Sequence, residues 1–119
     1  MNLHNHGGSL EAVIDKMPDE SNFQMAAELF QLISDPTRLK ILWLLCHCEV
    51  CVNNIGVAVD MSSPAVSHHL RLLKQAGLIE ARRDGKEMYY RLADAPKAQL
   101  LHKSIDDIFD ISCPAHSIK

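Results

Sequence analysis

The sequence has no long apolar segment. Its longest uninterrupted apolar run covers residues 41–46, whereas a helix that crosses a bilayer needs about 20 such residues. No basic segment followed by an apolar stretch occurs among the first residues, MNLHNHGGSLEAV, so a secretory signal is not indicated. We therefore expect a cytoplasmic protein that has no membrane partner.

Other absences narrow the class of function. The chain has no glycine-rich phosphate loop and no Cys, His and Asp pattern around a predicted cleft, so we do not expect an enzyme. It has only 4 cysteines, which in a reducing compartment favour thiol chemistry over structural disulfides. Its 119 residues allow one domain. The net charge of −3, taken alone, argues against nucleic acid.

The charge is unevenly distributed along the chain. Residues 1–61 hold 3 basic and 8 acidic side chains, for a net charge of −5. Residues 62–91 hold 6 basic and 3 acidic side chains, for a net charge of +3. The remainder has a net charge of −1. A locally basic segment indicates a binding surface better than the total does.

Apolar periodicity and capping residues predict six helices. They cover residues 9–16, 22–33, 36–46, 53–59, 64–76 and 94–112. Asp35 and Ser63 are the expected N-caps, each followed by a proline at the first helical position. After Gly77, residues 78–83 and 86–92 alternate as two strands, and Asp84 and Gly85 form the expected two-residue turn between them.

Two helices, a short turn and a basic hairpin indicate a winged helix-turn-helix protein. The fold class is α+β, mainly α, with five or six helices and one β-hairpin wing. The second helix of the pair would enter the major groove, and the wing would contact phosphates or the minor groove. The candidate DNA-binding residues are Ser62, Ser63, Ser67, His68, His69, Arg71, Lys74, Arg82, Arg83 and Lys86. One of the two histidines should face DNA and the other the protein.

Two other interpretations of these residues stay open. A charged helix face is usually only a solvated surface, although its combination with a basic hairpin favours DNA. A domain that binds only protein would show the same fold, and it would bind no DNA at low salt.

The chain resembles the ArsR/SmtB family of metal-responsive transcriptional repressors. The similarity is carried by ISDPTRLKILWLL and by SSPAVSHHLRLLKQAGLIEARRDGKEMYYRL, and it covers residues 24–93. It implies a homodimer that binds a palindromic operator in double-stranded DNA and is released by an inducer. It also implies a dimer interface made by the first and last helices, which fits Leu101, Ile105, Ile108 and Phe109.

This resemblance suggests a division into three segments. Residues 1–21 would be an N-terminal arm with a short helix, and residues 22–93 the DNA-binding domain. Residues 94–119 would be a dimerisation helix with a tail.

The cysteines are the main candidate for the inducer site. The family places a Cys-x-Cys pair, in ELCVC, just before the helix-turn-helix; the matching stretch here is EVCVN, which keeps Cys51 and has Asn53 at the second thiol position. Cys46 and Cys48 lie just upstream, so three thiolates could bind As(III), Cd(II), Pb(II) or Zn(II). Structural core thiols, or a redox or persulfide switch, are the alternatives.

A second family site falls on the last helix. The positions that match its Asp-x-His and His-x-x-Glu ligands are Asp94, Pro96, Asp107 and Asp110, so both histidines are replaced and a tetrahedral zinc site of the usual composition is not expected. A different stripe on this helix combines His102, Asp106, Asp110 and Cys113, and His116 follows it. A solvated acidic face explains the stripe equally well.

Overall fold

The computed structural model describes residues 9–112 of the chain. Six helices and three strands occur in this range: α1 (Leu10–Asp15), α2 (Glu20–Ile33), α3 (Pro36–His47), β1 (Val50–Cys51), α4 (Val52–Val59), α5 (Ser63–Gln75), β2 (Ile79–Asp84), β3 (Glu87–Leu92) and α6 (Pro96–Ser112). Helices α4 and α5 form the helix-turn-helix, and β2 and β3 form the wing. The predicted fold class is confirmed.

The structure corrects two local predictions. The N-cap of α5 is Ser62, whose Oγ accepts from the backbone N–H of Ala65, so Ser63 is the first helical residue and not the cap. The hairpin pairs Asp84 with Glu87, which makes Gly85 and Lys86 the turn residues. Gly85 has a positive φ of 64°. Both shifts are of one residue, and the second places Lys86 in the turn at the tip of the wing.

The sheet contains a short strand that periodicity did not predict. Strand β1 pairs antiparallel with β3, which gives the order β1-β3-β2. Its two residues are too few to show alternation. Cys51 ends β1 and is also the N-cap of α4. Because β1 pairs with β3, this strand connects the wing directly to the helix-turn-helix.

The core lies among α3, α4, α5, the start of β2 and one side of α6. Within residues 9–110 it contains only apolar side chains, without a buried charge. Helix α5 contributes Val66, Leu70 and Leu73, as its periodicity predicted. The other buried apolar side chains are Ile41, Leu42, Leu45, Cys51, Ile55, Val59, Leu78, Ile79, Ala93, Ala98, Leu101 and Ile105.

Part of the predicted dimer surface belongs to this core. Leu101 and Ile105 are 8% and 5% exposed within a single chain, because their side of α6 packs into the core. Of the four residues expected at the dimer interface, these two are therefore covered within one chain. Ile108 and Phe109 do remain exposed, at 61% and 36%.

The chain divides into two compact units, residues 1–31 and 32–119. The helix-turn-helix, the wing and α6 all belong to the second unit. In the described range, the helices are too short or too polar to span a membrane.

The turn between α4 and α5 depends on a glycine. Asp60 adopts a left-handed conformation with φ 56°, and the backbone N–H of Met61 donates to the carbonyl of Gly56 at 2.9 Å. A Cβ on Gly56 would lie 2.7 Å from the Met61 carbonyl oxygen, which is inside van der Waals contact. Any side chain at this position must therefore push the two helices apart.

We expect Gly56→Ala to lower the free energy of unfolding by about 1–3 kcal/mol, the usual cost of overpacking. Urea unfolding followed by circular dichroism measures this change. Val57→Ala, at an adjacent position that is 82% exposed, is the control and should change stability by less than about 0.5 kcal/mol. Equal midpoints for Gly56→Ala and the unmodified chain would contradict the close approach.

Candidate functional site

The first half of α5 presents short polar side chains beside longer basic ones. Ser67 is exposed, and the Oγ of Ser63 donates to Asn53 Oδ1 on α4 at 3.0 Å. Arg71 and Lys74 follow on exposed positions one and two turns later. A helix with small polar residues near its N-terminus can approach base edges closely, while the basic residues reach the DNA backbone.

The two adjacent histidines of α5 face different surroundings. His68 is exposed, and its Nδ1 lies 3.0 Å from Arg71 Nη2. His69 is half-buried, and its Nδ1 accepts from Arg38 Nε at 3.3 Å. Burial lowers the pKa of His69, so its ring is neutral near pH 7 and can accept this bond. This difference agrees with the expectation of one outward and one inward histidine.

Arg38 also anchors the start of α3. Its Nη1 donates to the Leu32 carbonyl at 2.8 Å, and its backbone N–H donates to the capping carboxylate of Asp35 at 2.8 Å. That second bond holds the pKa of Asp35 below its usual range. Arg38 therefore connects the N-terminal end of α3, through His69, to α5, which is the helix predicted to enter the major groove (the reading helix).

The three wing residues predicted to contact DNA are not equivalent. Arg82 donates from Nε and Nη2 to the Glu49 carboxylate at 2.7–2.9 Å, and its guanidinium lies 5.0 Å from the centre of the Tyr89 ring. The guanidinium of Arg82 lowers the pKa of Glu49. Arg83 and Lys86 are exposed at the tip. These two residues are therefore better placed than Arg82 to contact phosphates.

A cluster of metal-ligating side chains joins α3 to α6. His47, His102 and Asp106 each offer one ligand atom, and these atoms lie within 4.8 Å of one another. His47 Nε2 is 3.3 Å from Asp106 Oδ1, and His102 Nε2 is 2.9 Å from Asp106 Oδ2. The three side chains are only 25–29% exposed. Within the residues that the structure describes, this is the one group of three or more such ligands.

Aromatic rings cover one side of this cluster. The Trp43 ring lies 4.6 Å from the His47 ring and 6.5 Å from Phe109, measured between centroids. The helical stripe predicted from the sequence includes His102 and Asp106, but no sequence pattern marks His47 as a ligand. His47 is separated from them by more than fifty residues, so only the packing of α3 against α6 brings the three together.

The three candidate cysteines do not form a comparable group. Cys46 is half-buried near the end of α3, Cys48 is exposed and its thiol donates to the Leu44 carbonyl at 3.5 Å, and Cys51 is buried in β1. Burial, together with the negative charge of Asp106, raises the pKa of Cys46 to about 12. Binding of a metal ion by these three thiols would require them to move closer together, and it stays a prediction.

The other predicted ligands are dispersed. Asp94 and Asp110 are exposed at separate places, and Asp107 forms an ion pair with Lys103 at 2.9 Å. Cys113 and His116 lie outside the described residues. Within the described range, His102 and Asp106 are therefore the residues of the α6 stripe that belong to the cluster.

Comparison with known proteins decides the family. The model named "Bacterial regulatory protein, arsR family" matches residues 35–81, from the start of α3 into β2. The HTH-type transcriptional regulator KmtR of Mycobacterium tuberculosis is 36% identical over 96 residues, which are 81% of this chain and 71% of that protein. The chain belongs to the ArsR family.

Further relatives extend this ArsR-family assignment. A cadmium resistance regulatory protein, the CadC homolog of Staphylococcus aureus, is 40% identical over 66% of this chain and 65% of its own length. The solution structure of a homodimeric winged helix-turn-helix DNA-binding domain from Mycobacterium bovis superposes with a TM-score of 0.67 at 31% identity, covering 79% of this chain and 88% of that one. The winged fold predicted from the sequence is therefore the fold of this ArsR-family chain.

The raised pKa of Cys46 gives a test of the thiol environment in this ArsR-family chain. Because the thiolate is the nucleophile, a pKa near 12 in place of 9.0 leaves about 1000-fold less thiolate at pH 8. We expect Cys46 to be alkylated by iodoacetamide far more slowly than an unstructured cysteine peptide. Peptide mapping by mass spectrometry measures the rate, and the protein unfolded in guanidinium is the control. Labelling of Cys46 at the peptide's rate in the folded protein would contradict this description.

Proposed function

We propose that the chain is a homodimeric, DNA-binding transcriptional repressor whose operator affinity is lowered by an inducer ion. The observation that supports this most directly is the position of α5. Ser67 and Arg71 are exposed one helical turn apart on α5, and the basic tip of the wing belongs to the same unit. In this proposal α5 enters the major groove and the wing contacts the adjacent backbone.

Dimerisation is supported by apolar surface that one chain leaves uncovered. Helix α2 has no buried residue, and its Phe23, Met25 and Phe30 are 48–66% exposed. On α6, Leu100 and Ile108 are 65% and 61% exposed. Large apolar side chains repeated along two helices indicate an interface between proteins. A two-fold dimer would present two copies of α5 to the two halves of a palindrome.

An inducer that binds cysteine thiolates remains part of this proposal. Cys51 ends β1 and caps α4, so a ligand on its sulfur would act on the junction between wing and helix-turn-helix. As(III), Cd(II), Pb(II) and Zn(II) are the ions that thiolates favour. The cadmium resistance protein among the relatives supports an ion of this class. A redox or persulfide switch on the same thiols is the second candidate, favoured by the exposure of Cys48.

The proposal is tested first without any inducer. Selection from a random duplex library should yield a palindrome, and size-exclusion chromatography with light scattering should show one protein dimer per duplex. Fluorescence anisotropy then measures affinity. A monomer that binds no duplex at low salt would reject the repressor and favour a protein-binding domain.

The inducer is tested next on the same duplex. Metal titration of the unmodified protein and of a triple Cys46→Ser, Cys48→Ser, Cys51→Ser variant separates the possibilities. Release by As(III), Cd(II) or Pb(II) that persists in the triple variant rules out the cysteine site for these ions. Release by peroxide or polysulfide, with the matching mass shift on Cys48 or Cys51, favours the redox alternative.

A further inference from the structure

We propose that His47, His102 and Asp106 form a binding site within one chain for a divalent first-row transition metal ion, such as Zn(II), Co(II) or Ni(II). Two imidazole nitrogens and one carboxylate oxygen are ligands that these ions accept readily. The site differs from the cysteine group in ligand chemistry, although Cys46 and Cys48 flank His47 in the chain. The role of this site as an inducer site rests on the repressor function proposed above, whereas the binding of metal by its three residues does not.

The spacing of the ligand atoms suits such an ion. With metal–ligand distances of 2.0–2.1 Å, tetrahedral geometry places neighbouring ligand atoms about 3.3 Å apart. The nitrogens of His47 and His102 lie 3.3 and 2.9 Å from Oδ1 and Oδ2 of Asp106, respectively, and one ligand atom from each residue lies within 4.8 Å of the others. The His47 and His102 rings are nearly perpendicular, with centroids 5.1 Å apart. Small side-chain rotations would complete three-fold ligation and leave a fourth position for water.

Hydrogen bonding prepares His47 to be a ligand. Its Nδ1 lies 2.8 Å from the Trp43 carbonyl, and because a carbonyl can only accept, the ring proton is on Nδ1. The neutral ring then carries its lone pair on Nε2, the atom that faces Asp106. Metal-binding histidines commonly donate their other nitrogen to a carbonyl or carboxylate in this manner.

This arrangement leaves two acceptors opposite each other. Asp106 Oδ1 is inaccessible to solvent and accepts no hydrogen bond, although His47 Nε2 is only 3.3 Å away. A metal ion between the nitrogen lone pair and the buried carboxylate oxygen would satisfy both atoms. His47 is also the last residue of α3, where the helix dipole favours positive charge. The cluster has the charge and polarity of a cation site.

The site connects the two functional regions of the second unit. His47 ends α3, and the other end of that helix contacts the reading helix through the hydrogen bond from Arg38 to His69. His102 and Asp106 lie on α6, which also carries the exposed Leu100 and Ile108. An ion at this position would fix α3 against α6, and thus the reading helix against a predicted dimer surface.

The test measures metal binding in the full chain under reducing conditions without DNA. Co(II) is the probe, because its visible absorption reports ligand number and a thiolate ligand adds a near-ultraviolet charge-transfer band. Trp43 is the only tryptophan, and its ring lies beside His47, so bound Co(II) should quench its fluorescence. In the triple Cys→Ser variant, which lacks the thiols proposed as ligands above, we expect saturation at one ion per chain, with quenching and without the thiolate band.

Matched variants identify the ligands. Asp106→Asn and His102→Gln should each weaken Co(II) binding by at least about 100-fold, the upper range found for lost outer-shell partners. Asp107→Asn, a neighbouring carboxylate that is paired with Lys103, should bind as the unmodified chain does. The triple Cys→Ser variant should also retain binding.

Several outcomes would overturn the proposal. These are absence of saturable binding, undiminished binding by Asp106→Asn and His102→Gln, or loss of binding in the triple Cys→Ser variant. Circular dichroism identifies any variant that fails to fold, and His47→Gln then replaces it. Because operator binding is measured separately without metal, a failed metal site and a failed repressor function give different results.

Discussion

Arg71→Ala is expected to weaken operator binding by at least about 30-fold. Arg71 is exposed on α5, the helix proposed to enter the major groove, and lies beside His68. A side chain that contacts DNA at such a position contributes about 1–3 kcal/mol, and a dimer loses the contact twice, so the total is roughly 2–6 kcal/mol. If Arg71 contacts a phosphate, the slope of log affinity against log salt should also decrease by about 2, one unit per subunit.

Fluorescence anisotropy at several salt concentrations measures both quantities. The matched control is Lys103→Ala, which removes the same charge from an exposed position on α6, where Lys103 forms an ion pair with Asp107. It should leave affinity and salt slope nearly unchanged. An equal loss in the two variants would show that only overall charge matters, and no loss in Arg71→Ala would contradict the assignment of α5 as the reading helix.

Zinc is expected to lower operator affinity by about 5- to 150-fold, the range of a coupling free energy of 1–3 kcal/mol. The physical reason is that an ion held by His47, His102 and Asp106 fixes α3 against α6. The helices α5 of the two subunits must match the spacing of the two half-sites, so a small change in their separation weakens binding. Anisotropy with and without saturating Zn(II) measures the effect.

The variants from the metal-binding test separate the binding of metal from its effect on operator affinity. Asp106→Asn should bind the operator normally and lose the response to Zn(II), whereas Asp107→Asn should respond as the unmodified chain does. A full response in Asp106→Asn that disappears in the triple Cys→Ser variant would assign the inducer site to the thiols. Metal binding by the cluster without any change in operator affinity would make the site structural.

Much of the fold is predictable because local signals agree with the tertiary structure. Asp35 and Pro36 begin α3 as expected, and the period of Val66, Leu70 and Leu73 sets the buried face of α5. The predicted cap of α5 is one residue late, because Ser62 and Ser63 are both good caps and proline is tolerated at either of the next two positions. The turn of the wing is also ambiguous in the sequence, since Gly85 fits either of its two positions.

The candidate metal site is only partly predictable. The helical spacing of His102 and Asp106 places them on one face, and this is visible in the sequence. Nothing in the sequence links them to His47, because their proximity depends on how α3 packs against α6. The division of the apolar residues of α6 has the same cause: Leu101 and Ile105 have the same apolar character as Ile108, and only their packing against the core decides which are covered.

The most direct test of a metal-responsive repressor is a titration of the selected palindromic duplex with the unmodified protein, with and without Zn(II), under reducing conditions. We expect one protein dimer to bind each duplex tightly and Zn(II) to weaken this binding. We also expect the affinity to fall steeply with salt. A chain that binds duplex DNA weakly and without sequence preference, with the same affinity in the presence of metal, would contradict the proposed function.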